Sequence, residues 1–252
     1  MTGEQFLTDG QRATYDWQII VPGFGEEGQK KLAGATALVS RCGGVGGLVA
    51  YELAAAGIGR LILFHGGDLE ASDLNRQLLM TRDWIGKPRI ISIKRRLLEL
   101  NPNLKIVARG ENITIANMIS AVDQADIVIS AAPLFHERFL MNDEAVRQNK
   151  PYVDCAMYGL EAQIMSVSPG KTACIRCLYP DDPPAWKRKF PVFGAVSGAI
   201  GCMGAMEAIK IIAGLGKPLY GKLLRINMAD MTMQRVTIRR SPHCQVCGKQ
   251  MP

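Results

Sequence analysis

Two constellations of residues in this chain are suited to chemistry. The first is built from thiols. Cys174-Ile-Arg-Cys177 and Cys244-Gln-Val-Cys247 form two CxxC pairs. A CxxC turn aims two thiolates at one point, and two such turns close a tetrahedral shell around Zn²⁺. The spacing predicts a structural zinc site on Cys174, Cys177, Cys244 and Cys247 that staples the segment after residue 168 to the C-terminus. Unligated surface thiols and a redox pair are the competing readings. A redox CxxC usually opens a helix, and neither pair is expected to do so. The second constellation is a glycine cluster, Gly43, Gly44, Gly46 and Gly47, between an apolar run at residues 37–39 and an apolar helical pattern through Ala56. Glycines let backbone N–H groups approach a phosphate, and the helix that follows offers its free donors and positive dipole end to the anion.

These residues need a frame to hold them. Strands are expected at about 36–40, 61–64, 104–108 and 126–131. Helices are expected between them, at about 45–56, 88–100, 115–122 and 136–149. The alternation implies a doubly wound, Rossmann-like α/β sheet, mostly parallel. After Lys150-Pro151 the pattern changes. Paired apolar runs at 152–156 with 162–167, and at 223–226 with 234–238, read as antiparallel C-terminal strands. A loop at 180–191 and an apolar helix at 196–214 lie between the two pairs. Residues 1–35 read as a helical lead-in with a turn at 21–25. No internal repeat or linker divides the chain, so a single domain is expected.

The 252 residues are 48% apolar and 21% charged, an ordinary globular composition. The formal net charge is +7. Its basic residues are dispersed, and an anionic ligand such as a nucleotide accounts for part of the excess, so no nucleic-acid partner is expected. The 196–214 stretch carries Glu207, Lys210 and several glycines, and is expected to be a buried helix with no membrane role. The first eleven residues are polar and acidic, so no secretory leader and a cytoplasmic location are expected. There cysteines stay reduced or bind metal. Isolated Cys42, Cys155 and Cys202 read as small buried hydrophobes.

Several further segments carry a resemblance. They are Pro22-Gly23-Phe24-Gly25-Glu26-Glu27-Gly28-Gln29, Gly43-Gly44-Val45-Gly46, Leu74-Asn75-Arg76-Gln77, Gly86-Lys87-Pro88, Arg138 with Asn142-Asp143, Cys174-x-x-Cys177-Leu178-Tyr179-Pro180, Glu207-Ala208-Ile209-Lys210 and the final CxxC. Together, from about residue 15 onward, they resemble the E1-like (ThiF/MoeB/HesA) superfamily. It includes the molybdopterin-synthase and thiamine-biosynthesis adenylyltransferases and the adenylation domain of ubiquitin-activating enzymes. The resemblance implies one adenylation domain over residues 1–252. Residues 36–150 would be the nucleotide-binding half, and 151–252 the substrate, zinc and dimer half. It also implies ATP with Mg²⁺, attack of a carboxylate on the α-phosphate, release of pyrophosphate, and a homodimer. The carboxylate would belong to a small-molecule cofactor precursor or to the C-terminal glycine of a ubiquitin-like sulfur carrier.

By the same resemblance Arg76 and Lys87 are the cationic phosphate contacts, and Gln77 is a neighbouring polar site residue. Arg41, Gly43, Gly44, Gly46, His65, Asp68 and Asp73 complete the nucleotide site. The chain departs from the family at several of these places. Arg41 stands for the first glycine of the turn, His65 for an acid that holds the ribose, Gly67 for a second acid and Asp73 for an asparagine. Pro133 stands for an acid that helps bind Mg²⁺. The N-terminal RYxRQ motif reads Thr14-Tyr15-Asp16-Trp17-Gln18, with Arg12 out of register. The crossover loop, Trp186-Lys187-Arg188-Lys189-Phe190-Pro191, has no cysteine for a thioester. Two alternatives stand beside adenylation. One is a catalytically inactive binding or scaffold subunit, suggested by these departures. The other is an NAD-dependent oxidoreductase, for which His65 supplies no ribose-gripping acid.

Overall fold

The structure is a computed structural model and describes residues 7–181, Pro183 and residues 189–248. Two helices, α1 (Asp9–Ile19) and α2 (Gly25–Gly34), lead into the strand β1 (Thr36–Ser40). The chain then alternates through α3 (Gly44–Ala55), β2 (Arg60–Phe64), α4 (Arg89–Leu100), β3 (Lys105–Arg109), α5 (Ile115–Asp123), β4 (Ile127–Ser130) and α6 (Phe135–Arg147). The second part holds β5 (Tyr152–Tyr158), β6 (Glu161–Val167), a one-turn α7 (Ile175–Leu178), α8 (Gly194–Ala213), β7 (Lys222–Asn227) and β8 (Thr232–Thr237).

All eight strands form one sheet in the order β3-β2-β1-β4-β5-β6-β7-β8. The β3-β2-β1-β4-β5 half is parallel, and β6, β7 and β8 add antiparallel. The expected α/β class with antiparallel C-terminal strands is therefore the observed one. Its cause is visible in the burial. Ala37, Leu38 and Val39 of β1 are fully buried, because helices cover both faces of a parallel sheet and both side-chain sets are mostly apolar. Strand β8 is exposed along its whole length.

Helix α8 is long and apolar enough to cross a membrane by length and composition, and many of its residues are buried inside the fold. It packs on α3 and on β5 and β6. A Cβ at Gly201 would lie 2.6 Å from the Val45 carbonyl oxygen, so glycine is what lets α8 approach α3 closely. Buried Glu207 ties α8 to the sheet by accepting from Ser166 Oγ at 2.6 Å and from the Leu219 N–H at 2.7 Å. Cys42 and Cys155 are buried as expected, but Cys202 is exposed. It sits on the outward face of α8, near Glu52, so periodicity and not thiol chemistry decides its place.

Candidate functional site

The parallel sheet reverses its winding between β1 and β4, and the crevice beyond the carboxyl ends of such strands is where α/β sheets hold ligands. A cavity of about 310 Å³ lies there. Its floor begins at the β1–α3 turn. Gly43 N–H donates to the Arg41 carbonyl at 2.6 Å, and Gly47 N–H to the Gly43 carbonyl at 3.0 Å. The first N–H groups of α3 therefore face outward without an intrahelical acceptor. Gly43 and Gly44 line the cavity. Gly46 does not. A Cβ there would lie 2.7 Å from the Arg41 carbonyl oxygen, so Gly46 serves the close contact between helix and strand end.

The turn after β1 requires a left-handed residue, and Arg41 provides it with φ of +54°. That conformation explains why the related pattern has glycine at this place. The Arg41 side chain lines the cavity and donates from Nε and Nη2 to Glu137 at 2.7 and 2.6 Å.

The segment after β2 supplies the rest of the wall, and Asp73 organises it. Its carboxylate accepts from the Glu70 N–H at 3.0 Å, Gln77 Nε2 at 2.7 Å and Arg76 Nη2 at 3.2 Å. Arg89 adds Nε at 3.0 Å and Nη2 at 2.6 Å. Burial opposes charge on Asp73, yet these hydrogen bonds and the two guanidiniums pull its pKa down. Asp73, Arg76, Gln77 and Arg89 all border the cavity. Asp73 is thus saturated by protein donors and aims three side chains that can meet a ligand.

His65, just after β2, also borders the cavity, and its Nδ1 has no partner among the described residues. Burial pushes its pKa down to about 3, helped by the charges of Arg89 and Arg41. The imidazole is neutral at physiological pH. Gln77 Oε1 is likewise buried without a partner among the described residues. Two orphan polar atoms at one cavity wall mark a place for a polar ligand.

Two expected site residues lie elsewhere. Asp68 is exposed and pairs by its backbone with Pro88. Lys87 is exposed, donates from Nζ to the Asp83 carbonyl at 3.1 Å and sits 4.7 Å over the Trp84 ring. Neither lines the cavity. Arg89 and Glu137 were not foreseen as site residues. A charged residue on the apolar face of α4, in line with Ile93, was the available signal for Arg89. Nothing local marks Glu137.

The opposite end of the cavity is built where β5 leaves its parallel neighbour and pairs antiparallel with β6. Met157, Tyr158, Gln163, Tyr179 and Phe190 line it, with Arg225 at the rim near Glu161. Arg138 lies between the two ends. It is buried, forks onto Asp154 at 3.0 and 2.6 Å, and stacks 4.4 Å over Phe135. Proline 133 lines the cavity beyond β4, where the related pattern carries an acid. Arg12, out of register in sequence, pairs with Glu26 at 2.8 Å. Within the crossover loop, Trp186, Lys187 and Arg188 lie outside the described residues.

Away from this cavity, the four CxxC sulfurs lie within 4.8 Å of one another. Cys174 and Cys244 are 3.7 Å apart, and Cys177 and Cys247 3.4 Å. A tetrahedron with metal–sulfur bonds of about 2.3 Å has edges of about 3.8 Å, so the four thiols can hold a metal such as zinc. One expectation is corrected. Cys174 does cap a helix, the single turn α7, closed by Cys177 N–H donating to the Cys174 carbonyl at 3.0 Å. That turn is what brings the two thiols of the pair to one side.

Comparison with known proteins agrees with this geometry. The model of the ThiF family matches residues 15–247. Protein HesA, vegetative, of Trichormus variabilis is 44% identical over 242 residues, covering 96% of this chain and 91% of its own. The sulfur carrier protein adenylyltransferase of Thermus thermophilus is 35% identical over 243 residues, covering 93% of this chain and 90% of its own. The crystal structure of E. coli MccB with MccA-N7isoASN superposes with a TM-score of 0.85 at 27% identity, covering 98% of this chain and 76% of that one. The shared fold and this sequence similarity lead to one conclusion: the chain belongs to the ThiF family.

Proposed function

We propose that this chain is a single adenylation domain that uses ATP to adenylate a carboxylate, releasing pyrophosphate and leaving an acyl-adenylate for a sulfur or amine nucleophile. The observation that carries the reading is one cavity with two unlike ends. An anion-binding turn with Arg41, Arg76 and Arg89 forms one end, and the aromatic Tyr158, Tyr179 and Phe190 form the other. A carboxylate is a weak nucleophile and its target is anionic. The protein's task is to hold two anions together and offset the charge that grows on the phosphates. Gly43 and Gly44 bring backbone donors to the phosphates, Arg76 neutralises them, and Gln77 and His65 offer neutral hydrogen bonds. Lys87 joins them by swinging off Trp84.

Mg²⁺ enters with the phosphates of ATP. The acids at or beside the cavity, Asp73, Glu137 and Glu161, are each paired with an arginine, so no step is assigned to a protein-held magnesium. Zn²⁺ is the ion proposed for the four cysteines. Four thiolates close its shell and leave no open position for catalysis. By family resemblance the chain works as a homodimer. The acyl substrate is a small-molecule carboxylate, or the C-terminal glycine of a carrier such as the one the Thermus relative is named for.

A hydroxylamine trap tests the reading. With ATP and the true carboxylate, hydroxamate should accumulate in step with AMP. A second reading, a binding or scaffold subunit without adenylation, is favoured by the placement of Lys87 on Trp84 and of Asp68 outside the cavity. Calorimetry separates the two, because tight Mg–ATP binding removes the strongest form of the scaffold reading.

A further inference from the structure

Arg41 holds a conformation that L-residues avoid, in the turn that approaches the ligand. Only Asn149 and Met231 share positive φ among the non-glycine residues described, and neither borders the cavity. Strain of this kind persists where the surroundings fix it, and it concentrates at functional sites. Two contacts fix Arg41. Its backbone N–H donates to the Phe64 carbonyl at 2.8 Å. Its side chain reaches across to the first turn of α6, where Glu137, 6% exposed, accepts from Nε and Nη2. This grip uses one edge of the guanidinium. The other edge, Nη1, has no protein partner among the described residues, and the residue lines the cavity beside Gly43 and Gly44.

We propose that Arg41 is a polyphosphate hook, with its Nη1 edge hydrogen-bonding a phosphate oxygen of a nucleoside triphosphate, and that Glu137 is its positioning residue, acting only through Arg41. The proposal rests on the nucleotide reading above. A purely structural ion pair could join β1 to α6 with either partner facing away from the cavity. A hook needs a planar fork with one edge held and one edge free, which arginine supplies and lysine does not. It also gives a reason for the strained backbone, since φ of +54° at this residue starts the side chain at the mouth of the phosphate turn.

The test is calorimetric titration of the full chain with Mg–ATP and with adenosine, alongside a melting curve for each variant. In the wild type, ATP should bind more tightly than adenosine. Arg41→Gly should weaken ATP about tenfold, near 1.4 kcal/mol, and leave adenosine unchanged. Glu137→Gln should weaken ATP by a smaller factor, again without touching adenosine, and should add nothing in the Arg41→Gly background. Arg41→Lys should fall between wild type and Arg41→Gly, and it stands in for Arg41→Gly if that variant melts at the assay temperature. Unchanged or tighter ATP binding in the Arg41 variants would overturn the hook. So would an equal loss for adenosine, or a Glu137→Gln loss that persists without Arg41. A wild-type chain that binds no ATP would instead overturn the nucleotide reading as a whole.

Discussion

The two halves of the sheet face one cavity with opposite chemistry. The parallel half spends buried charge there. Arg41 pairs with Glu137, and Arg76 and Arg89 share Asp73. The antiparallel half contributes rings and a thioether, and its charges, Glu161 and Arg225, stay exposed at the rim. The halves also stabilise themselves differently. Strand β1 is buried on both faces, whereas β8 is exposed throughout, and a four-thiol cluster joins the segment after β6 to the segment after β8. The contrast separates two tasks. On the proposed reading, fixed charge at one end meets the phosphates of ATP, which every adenylation shares. The apolar end, with few fixed polar groups, is where acyl specificity can vary.

The comparison breaks most visibly at the cysteines. Cys174→Ser, or stripping the metal with a chelator, should unfold the antiparallel half or lower Tm by 10 °C or more, since about 3–5 kcal/mol is a modest share of what a structural zinc contributes. Metal analysis should find one zinc per chain in the wild type, and an unchanged melting curve after chelation would remove the stapling role. Next in size is the charge hub of the parallel half. Asp73→Ala leaves the buried Arg89 guanidinium without its carboxylate, a loss of about 3–5 kcal/mol readable by urea unfolding. A variant as stable as wild type would mean that Arg89 finds water or another acceptor.

A smaller effect follows from pH. Unfolded His65 takes a proton near pH 6.5, while the folded form resists it down to about pH 3. The stability it contributes is complete above pH 6.5 and drains as the pH falls toward 3, by about 2 kcal/mol at pH 5. His65→Asn should flatten that slope in unfolding measurements at pH 5 and 7. An unchanged slope would place the acid sensitivity elsewhere. The smallest effects sharpen the placement of cations. Arg76→Ala should weaken Mg–ATP about tenfold as a lost charge-assisted contact, and Lys87→Ala about threefold, because Lys87 must first leave Trp84. Equal losses would mean that Lys87 reaches the phosphates without cost, and no loss in either would refute the phosphate assignment.

Much of the frame was legible because burial is two-sided in the parallel half. Residues 37–39 and the later apolar runs mark strands within a residue or two of where they lie, and Gly43 to Gly47 mark the turn. The CxxC spacing marks a four-thiol cluster, but no local signal marks Cys174 as the cap of a helical turn. The charge pairs were not legible. Arg41 and Glu137 are 96 residues apart, and Arg89 and Asp73 are 16 apart. Such partners meet only once the sheet order is known. For the same reason Asp73 looked like a ligand contact, although four protein groups already occupy its carboxylate. Lys87 sits in a motif that resembles a phosphate contact, yet a tryptophan three residues earlier gives its ammonium a local place to rest.

On the proposed reading, the two ends of the cavity act on ATP and a carboxylate together. ATP–pyrophosphate exchange measured across a panel of carboxylates and sulfur-carrier C-termini tests it most directly. Exchange should depend on one class of carboxylate and should need about tenfold more ATP in Arg76→Ala. Tight Mg–ATP binding with no exchange for any member of the panel would contradict it.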